Sequence, residues 1–160
     1  VIVCSYEPLR MLTFPPPDLH FAIAVPVTLR GTTREARAVL PRAVGLRRIV
    51  RNIGGAASVV AGILTSDPDV LGQGMLADAI VETARAKLYP SYWRVRGAAL
   101  AAGASGVAFS GAGPAMIAVV DPARADPGDV AEAMREAFGA EGVEARAFRA
   151  KPAAGARVLG

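Results

Sequence analysis

A glycine-rich turn constrains this chain more than any other stretch. Two short apolar runs, Gly106–Ser110 and Met116–Val120, flank Ser110-Gly111-Ala112-Gly113-Pro114. Runs of this length, rich in β-branched and aromatic residues and bounded by Gly and Pro, read as strands. With so few residues between them, the second strand returns beside the first as a hairpin-like antiparallel pair. Further upstream, Phe21–Val27 (FAIAVPV) is a near-continuous apolar run and reads as a buried strand. Its Pro26 cannot donate to a ladder, which places the far end at an edge or a bulge. Downstream, Asp126-Pro127-Gly128-Asp129 opens a helix in which Val130, Ala133, Met134, Ala137 and Phe138 keep the helical period. Gly139 to Gly142 ends it, and Val143–Ala150 reads as another strand.

The segment between the first strand and the hairpin is helical. Thr32 and Thr33 precede Arg34-Glu35-Ala36-Arg37, a helix start with a threonine cap, closed by Pro41. Leu46, Ile49, Val50, Ile53, Val60, Ile63 and Leu64 recur at helical spacing, so Val44–Thr65 is one long amphipathic helix. Gly54-Gly55 in its middle points to close packing of another element. Ser66-Asp67-Pro68 caps a second helix, Asp69–Lys87. Pro90 and Ser91 mark a break, and Tyr92–Ala102 forms a third helix before Gly103. The order is β-α-β-β-α-β with extra helices in the first crossover. The expected fold is α+β: a ferredoxin-like antiparallel sheet with helices on one face. Val1–Cys4 and Leu9–Phe14 read as further strands, the latter ended by Pro15-Pro16-Pro17, and Val158-Leu159 as a last edge. A strand already under way at Val1 suggests that residues 1–19 end a preceding domain and residues 20–160 form the next.

Composition narrows the function classes. With 52% hydrophobic and 20% charged residues over 160 positions, the chain has material for a core and is not a disordered solvating segment. One cysteine excludes a disulfide framework and a Cys-rich zinc site, and a lone histidine, His20, excludes a multi-His metal site within the chain. The net charge of +4 comes mainly from arginines, with Lys87 and Lys151 the only lysines. Guanidinium groups fork onto carboxylates and phosphates. Scattered along the chain, they favour a small anion over nucleic acid. The longest weakly charged stretch, Gly97–Val120, is broken by glycines and Pro114 and does not read as a membrane span. Without a secretory start, a cytoplasmic location is expected. Cys4, in an apolar strand, is expected to be buried and inert.

Three groups could carry chemistry. The Ser110–Pro114 turn can bring backbone N–H groups close to an anion. Thr33, Arg34 and Arg37 lie on the first turns of a helix. Asp78, Glu82 and Arg85 stand at i, i+4 and i+7, which on spacing alone is an ordinary surface ion-pair ladder. Arg47, Arg48 and Arg51 read as a solvated face, and His20 as a structural or surface histidine. Tyr92 and Trp93 are expected in the core or an interface. Phe21, Phe109 and Phe148 read as core rather than as an RNA-stacking platform.

Several segments carry a resemblance as a set. They are Ser5–Leu9 (SYEPL), Thr32–Arg37 (TTREAR) with Val39-Leu40-Pro41, and Arg51-Asn52. The pattern Met75, Asp78, Ile80, Glu82, Arg85, Leu88, Pro90 follows, then Ala101–Ala104 with Gly106, Ser110–Pro114 and Gly155–Val158. In this order they resemble the C-terminal half of the homoserine kinase branch of the GHMP kinase superfamily. SGAGP alone fits many members, and TTREAR together with Arg85 narrows the match to that branch. The resemblance implies ATP-dependent phosphorylation of the L-homoserine hydroxyl, on the route to threonine. Thr33 would match a threonine near the transferred phosphate, as the catalytic position. Arg37 and Arg85 would match two arginines that hold the amino-acid carboxylate. Ser110, Gly111, Ala112, Gly113 and Pro114 would match a turn bordering nucleotide phosphates and substrate.

The family's proline, tyrosine and proline around Arg85 appear here as Thr83, Ala84 and Lys87. Its glycine- and serine-rich ATP loop and its acidic Mg2+ ligand have no counterpart, so neither the loop nor a metal ligand is expected within this chain. The partners implied are L-homoserine and ATP, with no nucleic acid and no membrane, and the chain alone is expected to be inactive. A homodimer stays open, since an unpaired N-terminal strand edge favours self-association. Two alternatives remain: another superfamily kinase of mevalonate or shikimate type, and a non-catalytic ferredoxin-like amino-acid-binding module.

Overall fold

In a computed structural model that describes residues 1–156, the chain begins with a two-stranded antiparallel hairpin, β1 (Ile2–Tyr6) and β2 (Leu9–Leu12). Among the described residues no layer covers the hairpin, and every residue of β2 is exposed. Cys4 is therefore exposed, contrary to the expectation from its apolar neighbours. The second strand stops at Leu12, short of Phe14. Val158-Leu159 lies outside the described residues.

The main sheet has four strands: β3 (His20–Pro26), β4 (Ala104–Phe109), β5 (Met116–Val120) and β6 (Ala145–Ala150). Their order is β4-β5-β3-β6, and every neighbouring pair is antiparallel. This is the ferredoxin-like arrangement expected from the order of apolar runs. The insertion between β3 and β4 holds α1 (Thr33–Ala38), α2 (Leu46–Thr65), α3 (Pro68–Leu76), α4 (Val81–Arg85) and α5 (Tyr92–Ala101). Helix α6 (Pro127–Gly139) joins β5 to β6.

Alternation along the strands decides which residues meet which helices. Ala22, Ala24, Met116, Ala118 and Val120 are fully buried against Val95 and Ala99 of α5 and Val130, Met134 and Phe138 of α6. Burying a side chain such as Met134 or Phe138 contributes about 1.5–3 kcal/mol. The opposite sheet face is also covered in part, which departs from the expectation of helices on one face only. Leu71 of α3 packs with Leu19 and Val119, while Val59 and Ile63 of α2 border them. The close approach has a specific cause: a Cβ on Gly72 would stand 2.2 Å from the Ser105 carbonyl oxygen. Only a bare backbone lets α3 lie this close to β4. This cover stops over β4 and β5. On the β3–β6 half the same face is open, and Phe148, expected in the core, is 49% exposed.

Helix α2 is continuous as expected, and Gly55 within it faces Ala77 at a separation that leaves no room for a Cβ. The expected single helix over Asp69–Lys87 is in fact three pieces. Helix α3 ends at Leu76, residues 77–80 turn, and α4 leads into a 3-10 turn at Ala86–Leu88. The break follows from Asp78. Its Oδ1 accepts the N–H groups of Ile80 and Val81, each at 2.8 Å, and so starts a new helix. No described helix is long and apolar enough to cross a membrane.

Candidate functional site

The three groups singled out in the sequence converge through one side chain. The Arg85 Nη1 donates to the Gly111 carbonyl at 2.9 Å, and its Nε lies 3.4 Å from the Ala36 carbonyl. Ala36 is buried in α1, beside Arg37. A single guanidinium therefore ties α1 to the glycine turn, across 49 and 26 positions of sequence.

Helix α1 is short and owes its definition to its cap. Thr32 forms a capping box: its hydroxyl accepts the Glu35 N–H at 3.2 Å, and Glu35 accepts the Thr32 N–H at 2.9 Å. The Thr32 hydroxyl also donates to Glu35, and these bonds hold the Glu35 carboxyl below its usual range. Thr33 and Arg37 stand four apart on this helix and share a face. Both are exposed, and among the described residues neither side chain has a protein hydrogen-bond partner. Arg34 is exposed in the same way.

The Ser110–Pro114 turn closes the β4–β5 hairpin. The Ser110 N–H donates to the Ala115 carbonyl at 2.8 Å, and Gly113–Pro114 is a cis peptide. Gly111 and Gly113 have φ of 65° and 82°, a region glycine enters freely. Among the described residues, the N–H groups of Gly111 and Ala112 donate to no protein acceptor. Two successive free N–H groups of this kind suit an anion. Tyr89 packs under the turn: a Cβ on Gly113 would stand 3.0 Å from its ring. Its hydroxyl approaches Gly31, just before α1. Burial pushes the Tyr89 hydroxyl above its ordinary pKa.

Asp78, Glu82 and Arg85 do not form the expected surface ladder. Glu82 is only 8% exposed, and among the described residues it pairs with no cation. It accepts the Phe109 N–H and the Tyr92 hydroxyl. Burial raises its pKa, and these hydrogen bonds offset only part of that. Asp78 faces the opposite balance. Burial raises its pKa, but bonds from Asn52 and from the N–H groups of Ile80, Val81 and Glu82 together lower it. Asn52 Nδ2 donates to Asp78 at 2.9 Å, and its Oδ1 accepts the Ala79 N–H.

Sequence reading missed the structural parts of Asn52, Glu82, Tyr89 and Tyr92. Asp78 carried one available signal, since an aspartate just ahead of Ile-Val-Glu is a helix-start pattern. Of the aromatic pair, Tyr92 is buried and Trp93 is 53% exposed. His20 lies half-buried, 3.9 Å from Asp18. Among the described residues, no three His, Cys, Asp or Glu side chains gather as metal ligands.

The family model described as GHMP kinases C terminal matches residues 59–142, more than half of the chain. The homoserine kinase of Haloarcula marismortui is 46% identical over 128 residues, 80% of this chain and 43% of its own length. The homoserine kinase of Pyrobaculum neutrophilum is 42% identical over 158 residues, 98% of this chain and 52% of its own length. The chain thus spans about half the length of the curated relatives it matches. The crystal structure of the homoserine kinase from Cytophaga hutchinsonii superposes with a TM-score of 0.84 at 33% identity, covering 94% of this chain and 47% of that one. The mevalonate kinase of L. major, at 15% identity and a TM-score of 0.61, shares the fold.

Proposed function

Because the chain belongs to the GHMP kinases, we propose that it supplies the substrate-carboxylate side of a homoserine kinase site, as its C-terminal half. The observation that carries this reading is Arg85 joining α1 to the glycine turn, with Arg37 on the adjoining helix free to bind. Arg37 and Arg85 take the carboxylate of L-homoserine through charge-assisted hydrogen bonds, worth about 1.5–3 kcal/mol each. Thr33 and the free N–H groups of Gly111 and Ala112 face the transferred phosphoryl group. The homoserine hydroxyl oxygen attacks the terminal phosphorus of ATP, the bond to the ADP oxygen breaks with its electron pair leaving on ADP, and the hydroxyl proton passes to solvent. Such a transfer asks the protein for positioning and charge stabilisation rather than covalent chemistry.

ATP is the second substrate. Among the described residues no acidic cluster suits Mg2+, and this reading assigns the metal ligands and the nucleotide loop to the other half of the assembled protein. Residues 1–19 go with that other half, although Leu19 at the boundary already packs with Leu71 and Val119 of this domain, and residues 20–160 are the C-terminal domain. The chain by itself is inactive, and the assembled protein works in the cytoplasm.

A chimera tests this reading. This chain replaces the matched half of the Pyrobaculum neutrophilum enzyme, and ADP release is followed with homoserine, mevalonate and no acceptor. Homoserine-dependent release is expected, with none from the 160-residue chain alone. Turnover with mevalonate in place of homoserine would move the assignment elsewhere in the superfamily. Homoserine binding to the wild-type chimera without any turnover would favour the amino-acid-binding module.

A further inference from the structure

We propose that Glu82 is a positioning residue that holds the glycine turn at the height the bound substrate requires, a proposal that rests on the kinase reading above. Strand β4 is the edge of its sheet, so its outward N–H groups have no strand partner. At Phe109, the last residue of β4, the Glu82 carboxylate supplies one. The Phe109 N–H lies 3.1 Å from Oε1 and 3.3 Å from Oε2. The next N–H, that of Ser110, points the other way, to Ala115. Glu82 therefore grips the chain immediately before the turn begins.

Three residues on, one turn along the same helix, Arg85 grips it two residues later through the Gly111 carbonyl. Residues three apart on a helix share a face, so the two grips are held at one spacing. The helix in turn is anchored. Asp78 accepts the N–H groups that start it and is itself held by Asn52 of α2. The Tyr92 hydroxyl fixes the far side of the carboxylate from α5. A path of hydrogen bonds thus runs from α2 through Asp78 and α4 to the entry of the turn, at Phe109 and Gly111. The free N–H of Gly111 lies between those two points, and that of Ala112 follows the second directly. Glu82 itself is buried and acts on the substrate only through the turn.

The test compares E82A, E82D and E82Q, in the 160-residue chain and in the chimera. Glutamine keeps an acceptor for the Phe109 N–H. Alanine removes it, and aspartate retracts it by one methylene. In the chain, E82A and E82D should speed hydrogen exchange at Phe109 and shift the amide resonances of Gly111 and Gly113, while E82Q should leave both near the wild type. In the chimera, E82A and E82D should lower kcat with homoserine by about a hundredfold, the cost of misplacing a binding group by about 1 Å. The KM for ATP should stay within about threefold, and E82Q should recover most of kcat. If E82A does not fold, E82D carries both readings. A loss of thermal stability alone, with turn resonances and kcat unchanged, would overturn the proposal. An inactive wild-type chimera would remove the kinase reading instead, and the exchange and resonances in the chain would then decide the clamp.

Discussion

Helices α1 and α4 each carry one arginine of the proposed site, and they hold them in opposite ways. Arg37 stands on an exposed helix of six residues and touches no described protein acceptor. Arg85 ends α4, a helix whose Glu82 and Ala84 are buried, and its guanidinium is already held by two carbonyls. The difference separates two tasks that look alike in sequence. Arg37 has all its donors for a ligand, at the cost of ordering a long side chain when the ligand binds. Arg85 is preorganised and is also a strut, so removing it disturbs α1 and the turn together.

That contrast sets the order of expected effects. Arg85→Ala should be the most damaging, with kcat/KM for homoserine in the chimera down about a hundredfold or more, since it loses a carboxylate contact and the tether of the turn. The turn resonances should shift as well, and unchanged resonances would reduce Arg85 to a second Arg37. Arg37→Ala should cost about ten- to a hundredfold in kcat/KM for homoserine. Its melting temperature should match the wild type, because no folded-state contact is lost. Arg37→Lys should recover little, since a point charge lacks the planar fork.

The buried carboxylates under α4 sharpen the comparison through pH. The Glu82 pKa is raised in the folded state, so the folded chain binds more protons than the unfolded one over that range. Its contribution to stability is fully present below the ordinary value of 4.5 and is lost as pH rises through the raised value. Asp78 has the opposite sign: its contribution is present above 3.8 and is lost as pH falls through its lowered value. Urea midpoints of E82Q against wild type, followed upward from about pH 4, near the ordinary carboxylate pKa, to about pH 8, should show the wild type losing ground as pH rises. A flat difference would mean that Glu82 titrates normally. The smallest effect belongs to the cap of α1. Thr32→Ala should cost about 1 kcal/mol locally, seen as faster amide exchange at Glu35, with no change at the turn.

Much of the frame was legible because apolar runs and turn residues agree. Met116–Val120 matches β5 from end to end. Val143–Ala150 begins two residues late, because the Val143 N–H is taken by the Phe138 carbonyl as α6 closes. What stayed hidden depended on distant partners. The break between α3 and α4 carries no Gly or Pro and is made by Asp78 with Asn52, 26 positions away. Reading one continuous helix there put Asp78, Glu82 and Arg85 on a single solvent face. The actual break turns Glu82 inward to an edge-strand N–H and aims Arg85 at the turn. Phe148 and Cys4 were misplaced for a different reason. An apolar residue implies a covering layer only if one exists, and neither the open sheet half nor the hairpin has one.

If these arginines read a carboxylate, Arg37 can be removed to show it without disturbing the fold. The decisive measurement is kcat/KM of the wild-type and R37A chimeras with homoserine and with 3-amino-1-propanol, the same amino alcohol without its carboxylate. R37A should lose about ten- to a hundredfold with homoserine and no more than about twofold with the analogue. Equal losses on both substrates would contradict it, because Arg37 would then be serving something other than the carboxylate.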